Sequence, residues 1–289
     1  MKLISSILIC IIIIFYGCNT EKSYLELASE MYSQGKYSEA LLYLNKAIEK
    51  EPDNHRAYNG RGLTKAKLKD YKKAINDFNI AIELNPGFAS AYYNRGISKI
   101  EINEFEGAII DLKHVIELDP NHKQAYLQIA NIYYIKGKEN FDKSRFQDAH
   151  VYLLKAIEFN PAHDEASNIL EITSDTLTMI YYDKGKVKFD NSDYQGAISN
   201  LTKAISFKAR HAESFFYRGE AKLEIADYRG AWNDFNSAIQ IESDYAAAYY
   251  KRGLTMYYMH YRYRAREDLM KAIELGYRVP QETLDLVFD

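Results

Sequence analysis

A spacing of thirty-four residues governs what this chain can become. From Glu21 the sequence resembles itself at that period, in seven units that begin at Glu21, His55, Ala89, Ala130, Thr178, Ala212 and Ala246. A fixed period of this size marks a stacked array, because one such unit cannot bury its apolar face alone and does so only against its neighbours. With each unit numbered from 1 to 34, position 20 is always alanine: Ala40, Ala74, Ala108, Ala149, Ala197, Ala231 and Ala265. Position 28 is always isoleucine, from Ile48 to Ile273, and position 8 is glycine in six units and Ala28 in the first. Position 4 carries a ring throughout: Tyr24, Tyr58, Tyr92, Tyr133, Tyr181, Phe215 and Tyr249.

These residues have steric reasons to recur. Small side chains at 8 and 20 let two helices cross closely, while the ring at 4 and Leu or Phe at 24 fill the space beside the crossing. A larger residue at Ala108 is expected to overpack by about 1–3 kcal/mol. Proline at position 32, in Pro52, Pro86, Pro120 and Pro161, ends the second helix, since it lacks the N–H and biases the residue before it away from helical geometry. Fourteen glycines and five prolines in 289 residues are too few for the turns of an all-β fold, so the class read from the sequence is all-α.

Over about 260 of the 289 residues the pattern resembles the tetratricopeptide repeat (TPR) family. The resemblance implies a right-handed superhelical solenoid of about seven helix-turn-helix hairpins over residues 21–279, with a concave face formed by the first helix of each unit. Departures gather at the end: Ala209, Ser243 and Tyr277 stand in place of the proline, and Arg262 in place of the aromatic at 17. Residues 280–289, with Leu284, Leu286, Val287 and Phe288, are expected to cap the last apolar face. The family's groove position 5 holds Tyr93, Tyr134, Tyr182, Phe216 and Tyr250, and position 12 adds Phe141, Phe189, Leu223 and Tyr257. Such rings either receive a peptide segment, offering contact area at little rotamer cost, or pack sideways between repeats. The lysine and asparagine that chaperone-tail-binding members carry at 5 and 9 are absent, with Leu25 and Ser29 in the first unit and Asn59 and Leu63 in the second.

Two further patterns run through the repeats. Position 7 is arginine in four units (Arg61, Arg95, Arg218, Arg252), and only there is position 23 aspartate (Asp77, Asp111, Asp234, Asp268). The co-occurrence predicts a structural ion pair between the helices of each hairpin, the other reading being an arginine that grips a ligand. The period also breaks twice, with extra residues at 123–129 and 164–177. Their lengths are close to whole helical turns, which predicts lengthened first helices in units four and five. These are either local irregularities packed on the next repeat or ridges for self-association through 123–135 and 164–182.

Before the repeats, Lys2 precedes a largely apolar stretch from Leu3 to Tyr16, followed by Gly17 and Cys18. Residues 1–17 read as a secretory signal, whose stretch from Leu3 to Gly17 is about 22 Å long as a helix and short for a span of roughly 30 Å. The order apolar run, Gly17, Cys18 resembles the lipobox of bacterial lipoprotein signals, with bulkier Phe15 and Tyr16 as departures. That resemblance implies lipidation of Cys18, residues 18–20 as a short tether, and a lipid-anchored protein of the bacterial cell envelope facing the periplasm or cell surface. The other reading is an uncleaved signal-anchor.

The remaining function classes find little support. The net charge of −3 comes with no basic block, so nucleic acid is not an expected partner. The only cysteines are Cys10 and Cys18, ahead of all repeats. His122, His163 and His211 share position 34, between units, and read as linker residues without zinc-ligand spacing. No metal, cofactor or catalytic residue is expected. The reading is a non-enzymatic scaffold binding a protein or peptide, with an assembly factor for an envelope complex, or a regulatory subunit of an enzyme carried on another chain, as the alternatives.

Overall fold

A computed structural model describes residues 22–288. The signal at 1–17, Cys18 and the tether at 18–20 lie outside the described residues.

Among the described residues there are fifteen helices and no strand. They are α1 (Tyr24–Ser33), α2 (Tyr37–Lys50), α3 (His55–Lys67), α4 (Tyr71–Leu84), α5 (Ala89–Glu101), α6 (Phe105–Leu118), α7 (Lys123–Asp142), α8 (Phe146–Phe159), α9 (Asp164–Asp190), α10 (Tyr194–Phe207), α11 (Ala212–Glu224), α12 (Tyr228–Ile241), α13 (Ala246–Tyr258), α14 (Arg262–Glu274) and α15 (Gln281–Phe288). Two compact bodies result among the described residues, one of residues 22–133 with Glu158–Pro161 and one of Tyr134–Ile157 with residues 162–288.

In the N-terminal body α1/α2, α3/α4 and α5/α6 are helix hairpins, and α2 packs on α3 as α4 packs on α5. The C-terminal body repeats the scheme with α9/α10, α11/α12 and α13/α14. All seven position-20 alanines are fully buried, and the residue at 24 fills the crossing beside them: Leu44, Phe78, Leu112, Leu153, Leu201, Phe235 and Leu269. The glycines at 8 are where the helices come closest. A Cβ on Gly137 would lie 2.7 Å from Leu153 Cγ and 3.3 Å from the Leu153 backbone nitrogen.

Each hairpin turns at position 15 through a left-handed residue. Only the first is glycine, Gly35; Lys69, Asn103, Ser144, Ser192, Ala226 and His260 hold the same conformation at φ between 55° and 65°. The bonds there are those of a Schellman ending: Asp70 N–H donates to Lys65 C=O and Lys69 N–H to Ala66 C=O, both at 2.9 Å, satisfying the last carbonyls of α3. Second helices end in extended geometry at Glu51, Asn85 and Asp119, each before its proline. Lys208 and Glu242 take the same geometry with no proline after them, so the packing fixes this ending and proline reinforces it.

The two period breaks fall inside helices, α7 with 20 residues and α9 with 27. On α9, Ala166, Thr173 and Leu177 are buried, while Ile172 and Met179 stay exposed. At the other end α15 lays Val287 into the cluster of Tyr250, Met256, Leu269 and Val279. Arg266 donates from Nε to Val287 C=O at 3.0 Å and from Nη2 to Phe288 C=O at 2.8 Å, so helix-end carbonyls that have no intrahelical donor are satisfied from α14.

Candidate functional site

The arginines at position 7 serve the fold. In each case the guanidinium holds the aspartate of its own hairpin with two parallel bonds: Arg61 to Asp77 at 3.0 and 2.8 Å, Arg95 to Asp111 at 2.9 and 2.6 Å, Arg218 to Asp234 at 2.9 and 2.6 Å, and Arg252 to Asp268 at 2.7 and 2.8 Å. These carboxylates are buried and the arginines largely so. Each arginine also lies over the ring at position 4, at 5.3–5.4 Å from Tyr58, Tyr92, Phe215 or Tyr249.

Two contacts of this clamp went unread in the sequence. The third nitrogen, Nη1, donates to position 25 of the preceding unit: Asn45 for Arg61, Asn79 for Arg95, Thr202 for Arg218 and Asn236 for Arg252. One residue thus ties three helices. A lysine at position 11 (Lys65, Lys99, Lys222) adds a second cation to the first three carboxylates, and Met256 stands there in the last unit. A signal existed, because Asn or Thr at 25 occurs wherever the next unit has Arg at 7. Where the next unit lacks that arginine, position 25 is Lys113 or Leu154.

The aromatics expected to line the groove divide into two sets. Phe216 and Tyr250, at 8% and 9% exposure, lie in the packed interior, against the groove expectation for them. The Phe216 ring lies 5.1 Å from that of Tyr245, and Tyr250 stacks on Tyr277 at 4.9 Å with its hydroxyl 3.3 Å from Thr283. The reason is that the last two units offer tyrosines at their ends, which lie over those rings. At position 12, Phe141 and Phe189 meet the position-17 rings of Phe146 and Tyr194 at 5.8 and 5.7 Å, closing the hairpin turn, and Tyr257 packs beside the last core cluster.

Tyr93, Tyr134 and Tyr182 remain part-exposed on their first helices. Each is backed by the histidine at position 34: Tyr93 by His122 at 4.9 Å, Tyr134 by His163 at 4.6 Å and Tyr182 by His211 at 5.2 Å. Those histidines are more than linkers. Their Nδ1 atoms accept from Ala125, Ala166 and Ser214 N–H at 3.2, 3.4 and 3.2 Å, capping the next first helix. The imidazole is thereby held in place as a wall behind the tyrosine.

The richest part of this surface is in the C-terminal body. Tyr182 meets Tyr217 edge to face at 5.8 Å, Phe189 meets Tyr217 at 6.0 Å, and Lys186 Nζ sits 5.5 Å over the Tyr217 ring. Burial pushes the Tyr182 phenol up to about 12, with Tyr217, Glu213 and Asp183 adding to the shift. Burial raises Tyr245 further still and also raises Tyr93. These hydroxyls stay protonated and so remain donors as well as acceptors. A smaller apolar pocket of about 210 Å³ opens in the N-terminal body between Leu25, Ser29, Tyr32, Arg56 and Leu63. Among the described residues no group of three or more His, Cys, Asp or Glu side chains is placed to hold a metal ion.

Comparison with known proteins places these hairpins. Three models match in succession: a TPR repeat over residues 28–69, and tetratricopeptide repeats over 55–88 and 89–122. No curated protein matches. Among solved structures, the first TPR domain of human RPAP3 is 30% identical, with 38% of this chain and 86% of that chain covered at a TM-score of 0.37. The first TPR of Spaghetti (RPAP3), solved bound to the HSP90 peptide SRMEEVD, is likewise 30% identical over 38% of this chain and 90% of that one, with a TM-score of 0.37. A tetratricopeptide repeat protein from Parabacteroides merdae is 18% identical over 92% of this chain and 98% of its own, with a TM-score of 0.40. The successive matched repeats, together with alanine, glycine and ring at their places in the hairpins, show that this chain belongs to the tetratricopeptide repeat family.

Proposed function

We propose that this chain is a lipid-tethered scaffold of the bacterial cell envelope that takes up a peptide or protein segment on the first-helix face around Tyr182. TPR domains are protein–protein interaction modules, and TPR proteins are generally non-enzymatic scaffolds. The observation that carries the finer reading is the part-exposed set of Tyr182, Phe189 and Tyr217, with the Tyr182 phenol kept protonated by burial and backed by the His211 cap. Rings fixed by their neighbours lose little entropy when a ligand covers them, and their hydroxyls can bond to the backbone of an extended segment. Tyr134 and Tyr93 offer the same unit of ring plus capping histidine in other repeats.

The tether rests on the order of apolar run, Gly17 and Cys18. Mass spectrometry of the mature N-terminus tests it: a diacylated Cys18 as first residue is expected, and an intact residue 1 would refute it. The groove is tested by pull-down of stoichiometric partners with Tyr182→Ala and Tyr134→Ala, helicity being checked by circular dichroism. Weaker capture by a folded variant is expected, whereas unchanged capture by both would reject this face.

A further inference from the structure

The hairpin turn between α13 and α14 carries chemistry that the first-helix face does not use. Between Asp244 and Glu267 the sequence has no acidic residue, while it carries Lys251, Arg252, Arg262, Arg264 and Arg266. Arg252 is committed to Asp268 and Arg266 to the carbonyls of α15. Arg262 and Arg264, joined by Arg229 from the start of α12, make no hydrogen bond or ion pair among the described residues. The three line one cleft of about 930 Å³ together with Trp232, Met256 and Met259.

The cleft exists because this hairpin departs from the others. In the six other units position 17 is a ring, and in three of them it meets a ring at position 12 across the turn: Tyr32 with Tyr37 at 5.5 Å, Phe141 with Phe146 at 5.8 Å and Phe189 with Tyr194 at 5.7 Å. Here position 17 is Arg262, whose guanidinium lies 5.6 Å from the Tyr257 ring. Tyr261 and Tyr263 point outward at 58% and 75% exposure and form the rim.

We infer that this cleft binds an acidic protein segment in which carboxylates alternate with apolar side chains. Guanidinium forks take carboxylates in two bonds, and three forks with no internal hydrogen bond or ion pair supply the complementary charge. The recessed floor of Trp232, Met256 and Met259 receives side chains that enter between the charges, which the flat headgroup plane of an anionic membrane does not provide. This site stands apart from the face around Tyr182, on different residues of the same body.

Trp232 is the sole tryptophan of the chain, so its emission reports on the cleft directly. The full chain is titrated with a synthetic peptide alternating glutamate with leucine and phenylalanine. A shift in Trp232 emission that saturates is expected, weakening with added salt. Arg262→Gln with Arg264→Gln is expected to weaken binding by about tenfold or more. Both side chains lie at exposed positions, so the fold is retained, and circular dichroism checks it. Tyr182→Ala is expected to bind this peptide normally, which separates failure here from failure of the first-helix face. Equal affinity in the double arginine variant, no change in Trp232 emission, or a response to phosphatidylglycerol vesicles without one to the peptide would each overturn the assignment.

Discussion

Replacing Asp111 by asparagine keeps the shape of the side chain and removes its charge where three donors converge. Asp111 is 1% exposed, and it accepts from Arg95 at 2.9 and 2.6 Å and from Lys99 at 2.8 Å. Breaking a buried ion pair by removing one partner costs about 3–5 kcal/mol, because the other charge is left uncompensated. Here the stranded cations retain 18% side-chain exposure and so reach some water, and asparagine still offers one carbonyl oxygen. Both facts bring the expected loss below that range, to about 2–3 kcal/mol. Asp268→Asn should cost less, since Met256 replaces the second cation and only Arg252 is left behind. Arg95→Met with Asp111→Leu should recover part of the loss, as buried ion pairs often exchange for apolar residues at little cost, while Lys99 is left to reach water. Urea unfolding followed by circular dichroism gives the totals, and hydrogen exchange in α5 and α6 shows whether loosening is local, as a nearest-neighbour array predicts. A loss below about 0.5 kcal/mol for Asp111→Asn, or a double variant no better than the single, would refute the reasoning.

Three other outcomes follow from the packing and electrostatics of the hairpins. Gly137→Ala should destabilise by about 1–3 kcal/mol, because its Cβ would meet Leu153 Cγ at 2.7 Å, whereas Gly96→Ala, at 3.2 Å from Leu112 Cγ, should stay within about 1 kcal/mol of the parent in urea unfolding. Ala226→Gly should stabilise by about 1 kcal/mol by relieving a left-handed alanine at φ 60°, seen as a rise in Tm. The Tyr182 phenol, raised to about 12, favours the folded state fully below the ordinary tyrosine value near 10, and that contribution should vanish as pH rises through 12. Difference absorbance of the parent against Tyr182→Phe measures it, and ionisation near 10 would contradict the burial.

Much of the fold was legible because its determinants sit at fixed offsets within one unit. Alanine at 20, glycine at 8 and the ring at 4 recur at the same interhelical crossing, so a period was enough to place them. The arginine–aspartate pairing was also visible, since both partners belong to one hairpin. The Asn45, Asn79, Thr202 and Asn236 contacts were missed because they cross into the preceding unit, where comparison within a unit does not look. The candidate site was only half legible for a related reason. Whether a position-5 ring is open depends on the residues closing its unit: histidine at 34 turns its nitrogen to the next helix and leaves Tyr182 part-exposed, while Tyr245 at 34 and Tyr277 at 32 lie across Phe216 and Tyr250. The cleft at the last hairpin was signalled by Arg262, which the sequence shows as a departure without showing what it opens.

The arginine clamp gives the array a direction. Its third arm always reaches upstream, so each arginine depends on the unit before it: Asn45 of the first unit, which itself carries Leu27 at position 7, accepts from Arg61 of the second. A repeat lifted from this protein is therefore not a free-standing cassette: its left neighbour must bring the matching amide or hydroxyl. Anyone shuffling these modules into new orders would find compatibility written across each seam, and reversing two of them would strand a donor even though every hairpin remained internally intact.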